Sequence, residues 1–530
     1  WMFRRPLVGI VLGLALPLLG FAAAATLKEQ FFPPAVRDQI TIEIELPADA
    51  SLAGTRRAVE HAGVILNREE RITATHWFLG RSAPTFFYNM AGSRELESRY
   101  AQGLIQLDSA DDVGALVRKL QARLNHLLPG ARVLVRQLGQ GPPFPAPIEL
   151  RIYSEDVAEL QRQGETARRV LSQTPHVAGI RAELNETVPK LGIRVHEHEA
   201  RLAGLSKAET TRQLDAALRG APAGSILEDT ERIPIIVRLP DRLRGRLDRL
   251  RTLELRGQKL GSSEKPGFSS RPGFATPHVP LDAVADVSLA GELSAISHRN
   301  GRRVNIVRGF VDAGELPAEV LKDYRRRMQP VFDAFPPGCT QEFGGEASHR
   351  DEAVANLLSS VGVLSVMLAA TLVLSLSSFR MAGVIALVGA LSVGLGVLAL
   401  KVWGSPFGFM AIIGTMGLVG VAINDSIVVL TALRNSDATR TADPEAVSRI
   451  VVGETRHVLA TTLTTIAGFL PLLLNGGDFW PPLAIAIAGG VAGATILALS
   501  LVPASYILLT RQRQPAVLSD AQPAIATAVR

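Results

Sequence analysis

The sequence contains little of what several classes of protein need. Only one of its 530 residues is a cysteine, Cys339, so an exported domain would have to be stabilised by its hydrophobic core and not by disulfides. The net charge of +6 is small for this length and the basic residues are spread through the loops, which gives no support for nucleic-acid binding. The sequence has no GxxxxGK[ST], HExxH or GxSxG motif, so nucleotide-driven pumping and hydrolysis are unsupported.

Long apolar segments are what the sequence has in abundance. Hydrophobic residues make up 47% of the chain and are concentrated in a few blocks. Six blocks approach or exceed the roughly 20 residues that cross a bilayer. They are Leu7–Ala25, Val354–Phe379, Met381–Leu400, Phe407–Leu433, Val458–Leu474 and Leu483–Leu509. The sequence therefore predicts an α-helical membrane protein with six transmembrane helices, one followed by five, and a large polar region between them.

The first apolar block has two interpretations. Arg4 and Arg5 precede it and Ala22–Ala25 offers small residues for cleavage, as in a signal peptide. Its apolar run is longer than the roughly 7 to 15 residues of a signal core, and five more blocks follow, which favours a membrane anchor.

Basic residues predict the orientation, because positively charged loops stay in the cytoplasm. With six helices, one side of the membrane collects Arg4, Arg5, Arg380, Arg434, Arg440, Arg449, Arg456, Arg511 and Arg513. Trp403 and Trp480 come at the other ends of their helices, where indole rings favour the interface. We expect both termini and Arg380 to be cytoplasmic, and residues 26–353, including Gly141, to lie outside.

One acid, Asp425, stands inside the otherwise uncharged block Phe407–Leu433. A charged side chain at this depth is costly and usually marks an ion or substrate path, so the residue is a candidate proton site. The alternative is a hydrogen-bonded acid that only fixes helix packing. Three upstream glycines permit close helix approach: Gly414, Gly417 and Gly420.

The outer region reads as an α+β domain with a duplicated pattern. Ile40, Ile42 and Ile44 alternate with polar residues, which predicts a half-buried strand. A helix from Ser51, strand-like segments at 72–79, 86–90 and 104–107, a helix at 113–127 and a strand at 133–137 follow, so the order is βαββαβ or close to it. The Gly/Pro-rich stretch 139–147 ends this unit.

The pattern then restarts. The predicted elements are strands at 148–154, 177–184 and 191–196, helices at 155–174 and from Ser206 to Gly220, a strand at 304–311 and a helix at 317–335. Residues 221–299 interrupt the repeat as an insertion. The expected domains are a first transmembrane helix at 1–27, outer subdomains at 28–140 and at 148–220 with 300–350, the insertion, a five-helix bundle at 354–510 and a tail at 511–530.

Two features raise the question of metal binding. His196, Glu197, His198 and Glu199 fall at a predicted strand end, but no further ligands can be assigned, so a solvated strand end is the favoured interpretation. The methionines are scattered, and only Met90 and Met328 lie in the outer region, which argues against an exporter built on thioether ligands. The sequence predicts no metal site and no cofactor.

Three stretches together resemble the C-terminal half of the resistance-nodulation-division (RND) efflux family, of the hydrophobe/amphiphile or multidrug type. They are QFFPPAVRDQITIEIELPADASLAGT after the first helix, GTMGLVGVAINDSIVVL in the fourth and TRHVLATTLTTIAGFLPLLL in the fifth. The resemblance implies helices seven to twelve of a twelve-helix pump, two ferredoxin-like porter subdomains and a docking insertion. It also implies that the chain is a fragment or one half of a split pump.

The resemblance assigns roles to particular residues. Thr461 matches a hydroxyl position in the proton pathway, whereas Asn424 stands where drug-exporting members carry a lysine that pairs with two acids of the other half. Asn424 cannot supply that charge but can hydrogen-bond to such acids. Gly80 and Arg81 resemble the switch loop beside the drug pocket, and four aromatic residues nearby are candidate substrate contacts or, alternatively, core residues: Trp77, Phe78, Phe86 and Tyr88.

The resulting expectation is not an enzyme but half of a proton-driven exporter of amphipathic small molecules in a bacterial inner membrane, with its large domain in the periplasm. The implied partners are an N-terminal half, two further protomers in a homotrimer, a periplasmic adaptor (membrane fusion) protein and an outer-membrane channel. The rival hypothesis is a decayed or accessory half that does not transport and acts as a membrane interaction protein.

Overall fold

A computed structural model describes residues 2–90, 94–184, 187–229, 231–257, 278–293, 295–436 and 443–511. The chain divides into two compact units, one formed by Trp1–Asn185 with Ile296–Arg530 and one formed by Glu186–Ala295. The predicted tail after Arg511, and the basic residues Arg440 and Arg513, lie outside the described residues.

The first apolar block forms helix α1, and a four-stranded sheet follows it. The elements are α1 (Pro6–Ala24), β1 (Gln39–Glu45), α2 (Leu52–Leu66), β2 (Ile72–Leu79), β3 (Tyr100–Leu107), α3 (Val113–Leu127) and β4 (Arg132–Gln137). Neighbouring strands are antiparallel in the order β2-β3-β1-β4. Ile40, Ile42 and Ile44 are fully buried against the helices, while Thr41, Glu43 and Glu45 point to the opposite face.

The strand predicted at 86–90 is wrong, because this segment forms a loop with a turn at its end. The segment does not join the sheet, because β2 and β3, the strands on either side of it in the chain, pair directly with each other. The loop is held instead by Asn89, whose side-chain amide donates to the Gly141 carbonyl at 2.8 Å.

The chain continues through β5 (Ile148–Tyr153), α4 (Val157–Ser172) and β6 (Val177–Ala182) and then enters the second compact unit. Its elements are β7 (Thr187–Val195), α5 (Glu197–Leu202), α6 (Lys207–Leu218), β8 (Ala221–Glu228), β9 (Glu231–Val237), α7 (Asp241–Arg244), α8 (Leu247–Arg251), β10 (Glu254–Arg256), β11 (His278–Pro280) and β12 (Ala285–Leu293). This unit begins earlier than the predicted insertion because β7 pairs with β12 along its whole length. The cluster His196–Glu199 also differs from the predicted strand end, since a helix begins at Glu197.

The second sheet is completed when the chain returns. Its further elements are β13 (His298–Arg299), β14 (Arg302–Val311), α9 (Pro317–Asp333) and β15 (Thr340–Gly345). Strand β14 pairs with both β5 and β6, and β5 also pairs with β15. Tyr324 of α9 is fully buried and donates its hydroxyl to the Ala167 carbonyl of α4 at 3.2 Å, which fixes the two helices on one face of the sheet.

Five long helices end the described chain: α10 (Glu346–Leu376), α11 (Phe379–Trp403), α12 (Phe409–Asn435), α13 (Pro444–Asn475) and α14 (Pro481–Arg511). With α1 they make six helices in the described residues that are long and apolar enough to cross a membrane. Helices α11 and α14 are the most buried, whereas α10 and α13 leave most of their surface exposed. The backbones of α1 and α11 meet at Gly20 and Gly394, where an added Cβ atom would overlap the facing helix.

Candidate functional site

Asp425 lies at the contact of two apolar helices. The residue is in the second half of α12 and only 4% exposed, because α11, α13 and α14 pack around this helix. The Thr461 hydroxyl of α13 approaches to 3.2 Å from the Asp425 Oδ1 atom. The structure therefore brings together two residues that are 36 positions apart and that the sequence placed in one proton pathway.

The Thr461 hydroxyl has two acceptors in reach but only one proton. It lies 2.7 Å from the Val458 carbonyl oxygen of its own helix and 3.2 Å from Asp425 Oδ1. When the Asp425 carboxylate is ionised, Thr461 can donate to it. When the carboxyl is protonated, Asp425 can donate to the Thr461 oxygen while Thr461 donates to Val458. The same three groups thus satisfy both protonation states by reversing one hydrogen bond.

Other side chains near this pair are less enclosed. Asn424 is exposed on the surface of α12 within the described chain. His457 stands one helical turn before Thr461, is also exposed, and interacts electrostatically with Asp425. Sequence reasoning missed His457, although its spacing of four residues from Thr461 places both on one helix face.

The remaining hydroxyls and glycines of this region serve packing. Thr464 and Thr465 bond to carbonyls of their own helix, whereas Thr462 reaches the Thr495 hydroxyl of α14 at 2.5 Å. Gly414 meets α14 closely, since an added Cβ would lie 2.8 Å from the Leu483 carbonyl oxygen. Gly417 has only an ordinary neighbour, Ile487, and Gly420 has open space beside it within the described residues.

A second candidate site is a cleft of about 440 Å³ between the two sheets of the first compact unit. The sheets meet where β4 approaches β6, through a small apolar cluster of Leu134, Ala146 and Phe310. Beside this cluster, Arg181 of β6 contacts Glu43 and Glu45 on the polar face of β1. The charged residues that line the cleft are Glu43, Arg94, Arg136, Arg181 and Arg308.

The acids of the cleft are tied to arginines from both sheets. Glu43 accepts from Arg136 at 3.0 Å and from Arg181 at 2.7 Å. Burial alone would raise the pKa of the Glu43 carboxyl, but the two guanidinium charges outweigh burial and lower this pKa to about 2. Glu45 accepts from Arg94 at 2.9 Å and from Arg181 at 3.1 Å, and its pKa is also lowered.

The second sheet supplies the fourth arginine of the lining. Arg308 of β14 donates to Glu149 at 3.2 Å and also to Glu183, and Glu149 lies buried beneath the cleft surface. Arg136 and Arg181 each lie over the Phe310 ring with their guanidinium carbon 5.4 Å from its centroid. Aromatic and ionic contacts together hold these guanidinium groups at the junction of the sheets.

The four aromatic residues predicted to contact substrate are not among those that line this cleft. Trp77 packs with the hydrophobic core beneath the first sheet, against the Gly103 backbone. Phe78 lies on the other face but on edge strand β2. Phe86 and Tyr88 are 50% and 63% exposed in the following loop. Their role in substrate binding stays a prediction, which their placement favours for Phe86 and Tyr88 over Trp77.

The predicted switch loop begins where β2 ends. Gly80 has a φ of +75°, which a side chain would strain, and its amide donates to the Tyr100 carbonyl at 2.8 Å. Arg81 is exposed.

Sequence reasoning missed the arginines of the cleft, because the alternation of polar and apolar residues in a strand does not show which polar residues meet in the fold. Arginines inside strands β4, β6 and β14 were the available signal.

Comparison with known proteins identifies the family. The six described helices that are long and apolar enough to cross a membrane, together with the two sheets, fit a membrane protein with a large polar domain. The sequence matches the AcrB/AcrD/AcrF family over residues 1–510, so the chain belongs to this family of RND efflux transporters and corresponds to one half of such a transporter. The resemblance predicted from three sequence stretches is confirmed.

Individual relatives differ in their described roles. The chain is 27% identical over 401 residues to the nickel and cobalt resistance protein CnrA of Cupriavidus metallidurans, covering 75% of this chain and 35% of CnrA. It is 21% identical over 524 residues to the multidrug resistance protein MdtC of Cronobacter sakazakii, covering 97% of this chain and 48% of MdtC. The crystal structure of a heavy metal efflux pump matches 96% of this chain and 51% of its own with a TM-score of 0.77 at 20% identity. The chain therefore spans between a third and a half of the relatives it matches.

Proposed function

We propose that the chain is the C-terminal half of a proton-driven RND exporter in a bacterial inner membrane. Its two outer sheets are then ferredoxin-like porter subdomains in the periplasm, and the unit Glu186–Ala295 is the docking insertion. The distribution of Lys and Arg and the interfacial Trp403 and Trp480, both exposed, support this orientation.

The contact of Asp425 with Thr461 is the observation that carries the proposal. An acid in an apolar helix bundle is costly, and a partner that can both donate and accept allows the acid to gain and lose a proton without leaving an unpaired group. Thr461 can accept from the protonated acid because its own hydroxyl proton then goes to the Val458 carbonyl at 2.7 Å.

The exposed surface of the bundle supports a shared site. Asn424 and His457 are both uncovered in the described chain and stand next to the buried Asp425. We infer that the other half of the pump covers them, with acids that accept hydrogen bonds from Asn424. The complete pump is then a homotrimer that works with a periplasmic adaptor protein and an outer-membrane channel.

The substrate follows a path through the cleft between the porter subdomains. Amphipathic small molecules fit a cleft that combines charged groups with apolar walls. The names of the relatives point in two directions, towards divalent metal ions for CnrA and towards drugs for MdtC. The lining of four arginines and one glutamate favours organic molecules over metal cations.

The test is export by the complete pump carrying Asp425→Asn, with Asp478→Asn as the control. Both changes replace a carboxyl by an amide of equal size, but Asp425 is buried and Asp478 is exposed in the loop after α13. We expect Asp425→Asn to abolish export driven by an imposed pH gradient at unchanged membrane level, while Asp478→Asn exports normally. Unchanged export by Asp425→Asn would contradict the proposal and favour the hypothesis of a half that does not transport.

A further inference from the structure

We propose that the cleft between the two porter sheets selects amphipathic organic anions, with a carboxylate or sulfonate group bound by its arginines. This names the substrate class and rests on the proposed function, in which the cleft is the path of the exported molecule. The charge distribution, the free geometry of the guanidinium groups and the apolar walls each support it.

The positive groups of the cleft stand closer to its surface than the negative ones. The carboxylate side chains of Glu43, Glu45 and Glu149 are 7%, 1% and 4% exposed. The guanidinium side chains keep more exposure, 39% for Arg136 and 20% for Arg308. A molecule that enters therefore meets Arg136 and Arg308 before the carboxylates of Glu43 and Glu149, although Glu183, which also binds Arg308, keeps 32% exposure.

The arginines retain a geometry suited to a bound oxyanion. Each guanidinium carries five N–H groups on three nitrogen atoms. Within the described residues, the bonds to carboxylates engage Nη2 of Arg136, and Nε and Nη1 of Arg308. The planar fork of a guanidinium matches two oxygens of a carboxylate or sulfonate, which a lysine cannot do.

The rest of the lining suits an apolar body attached to that anion. Met90, Leu138 and Phe144 contribute apolar surface to the lining, and so do three prolines: Pro143, Pro145 and Pro147. A volume of about 440 Å³ lies in the range of small-molecule pockets. One charged end and one apolar end therefore find complementary surfaces in the same cleft.

A divalent cation finds the opposite conditions. Among the described residues, Glu43 is the one carboxylate of the lining, and both Arg136 and Arg181 bind it. A metal ion would have to displace these guanidinium groups to reach the carboxylate, which raises the free energy of its entry. The metal ions in the names of several relatives are thus a poor match to this lining.

The experiment uses the purified full chain and three matched probes: 2-naphthoate, 2-naphthamide and 2-naphthamidine, which are anionic, neutral and cationic. Binding is measured by equilibrium dialysis and by saturation-transfer NMR, and Ni²⁺ is titrated separately by calorimetry. We expect 2-naphthoate to bind about tenfold more tightly than 2-naphthamide, because one charge-assisted hydrogen bond contributes about this factor to affinity. The cationic 2-naphthamidine should bind most weakly.

Three variants locate the effect. Arg136→Gln and Arg308→Gln should each remove most of the preference for naphthoate over naphthamide, and Arg136→Lys should keep part of it because the charge remains. Arg302→Gln is the control, since Arg302 is exposed at the start of β14, over Tyr153, and is not among the residues that line the cleft. Thermal unfolding midpoints of all variants show whether each protein is folded.

Equal binding of the three probes, tighter binding of the amidine or of Ni²⁺, or a preference that survives in folded Arg136→Gln and Arg308→Gln would overturn the proposal. These results are independent of proton coupling. If Asp425→Asn abolishes export but the chain shows no preference for anions, the proposed function stands and only the proposed substrate class is wrong.

Discussion

Single residues in this chain derive their properties from partners far away in the sequence. Glu43 faces away from the hydrophobic core on a strand with clear alternation, and such a residue is ordinarily solvated. Here Arg181 of the second sheet covers it, and the carboxylate becomes the link between the two sheets. The same holds for Asp425, whose partner Thr461 comes from the next helix.

The Glu43 carboxylate gives a prediction for the pH dependence of stability. Its pKa falls from 4.5 to about 2 in the folded chain, so its stabilising contribution is fully present above pH 4.5 and is lost as the pH falls towards 2. Glu43→Gln should unfold at a lower temperature at pH 6, because it leaves two guanidinium groups without their shared partner, a cost of roughly 3 kcal/mol. It should also show a smaller decrease between pH 5 and pH 3 than the native chain.

The measurement is the thermal midpoint of the detergent-solubilised full chain, followed by tryptophan fluorescence. Glu70→Gln, which replaces an exposed carboxyl of the same subdomain, is the control and should follow the native profile. If Glu43→Gln and the native chain lose stability in parallel over this pH range, the Glu43 ion pairs do not link the sheets.

At the scale of elements, helix packing depends on a few close approaches of backbone. Gly394 of α11 faces Pro17 of α1, and a Cβ atom there would lie 2.4 Å from the Pro17 carbonyl oxygen. We expect Gly394→Ala to destabilise the bundle by about 1 to 3 kcal/mol, because the backbones must separate. The control is Gly383→Ala in the same helix, which has open space and should be neutral or stabilising.

Both variants are compared by thermal unfolding in the same detergent. Equal unfolding midpoints for Gly394→Ala and Gly383→Ala would show that the backbones of α1 and α11 do not pack as closely as in the structure.

The elements also show which parts of the fold the sequence predicts. Helix α3 has the predicted bounds, 113–127, because its apolar residues repeat at helical spacing. All the large ones pack in one core except Leu127, which is 40% exposed. The segment 191–196 was predicted as part of the second porter subdomain, but β7 pairs with β12, almost a hundred residues later. Periodicity identifies a strand and cannot identify its partner, so pairing over long distances is where the prediction fails.

The candidate site divides in the same way. Asp425 could be identified as a candidate from the sequence, since placing a charged side chain in an apolar membrane helix has a high free-energy cost. Thr461 required the family resemblance, and the structure adds the distance that joins them. The arginine cleft arises from three strands in two sheets, and its residues have no common motif in the sequence.

At the scale of the whole molecule, the chain presents surfaces that suit a larger assembly. Helices α10 and α13 leave most of their apolar segments exposed. Asn424 and His457 are also exposed, beside the buried Asp425. CnrA and MdtC are two to three times as long as the parts of them that match this chain. We infer that proton transfer takes place at the boundary between the halves.

The central claim is that Asp425 carries the proton that drives export, and substrate-dependent proton flux tests it most directly. The complete pump is reconstituted in liposomes with a pH-sensitive dye inside, a pH gradient is imposed, and 2-naphthoate is added as the probe. The account predicts a proton flux that rises with 2-naphthoate in the native pump and in Asp478→Asn, and none above the leak of empty liposomes in Asp425→Asn. A flux in Asp425→Asn equal to that of the native pump would contradict it.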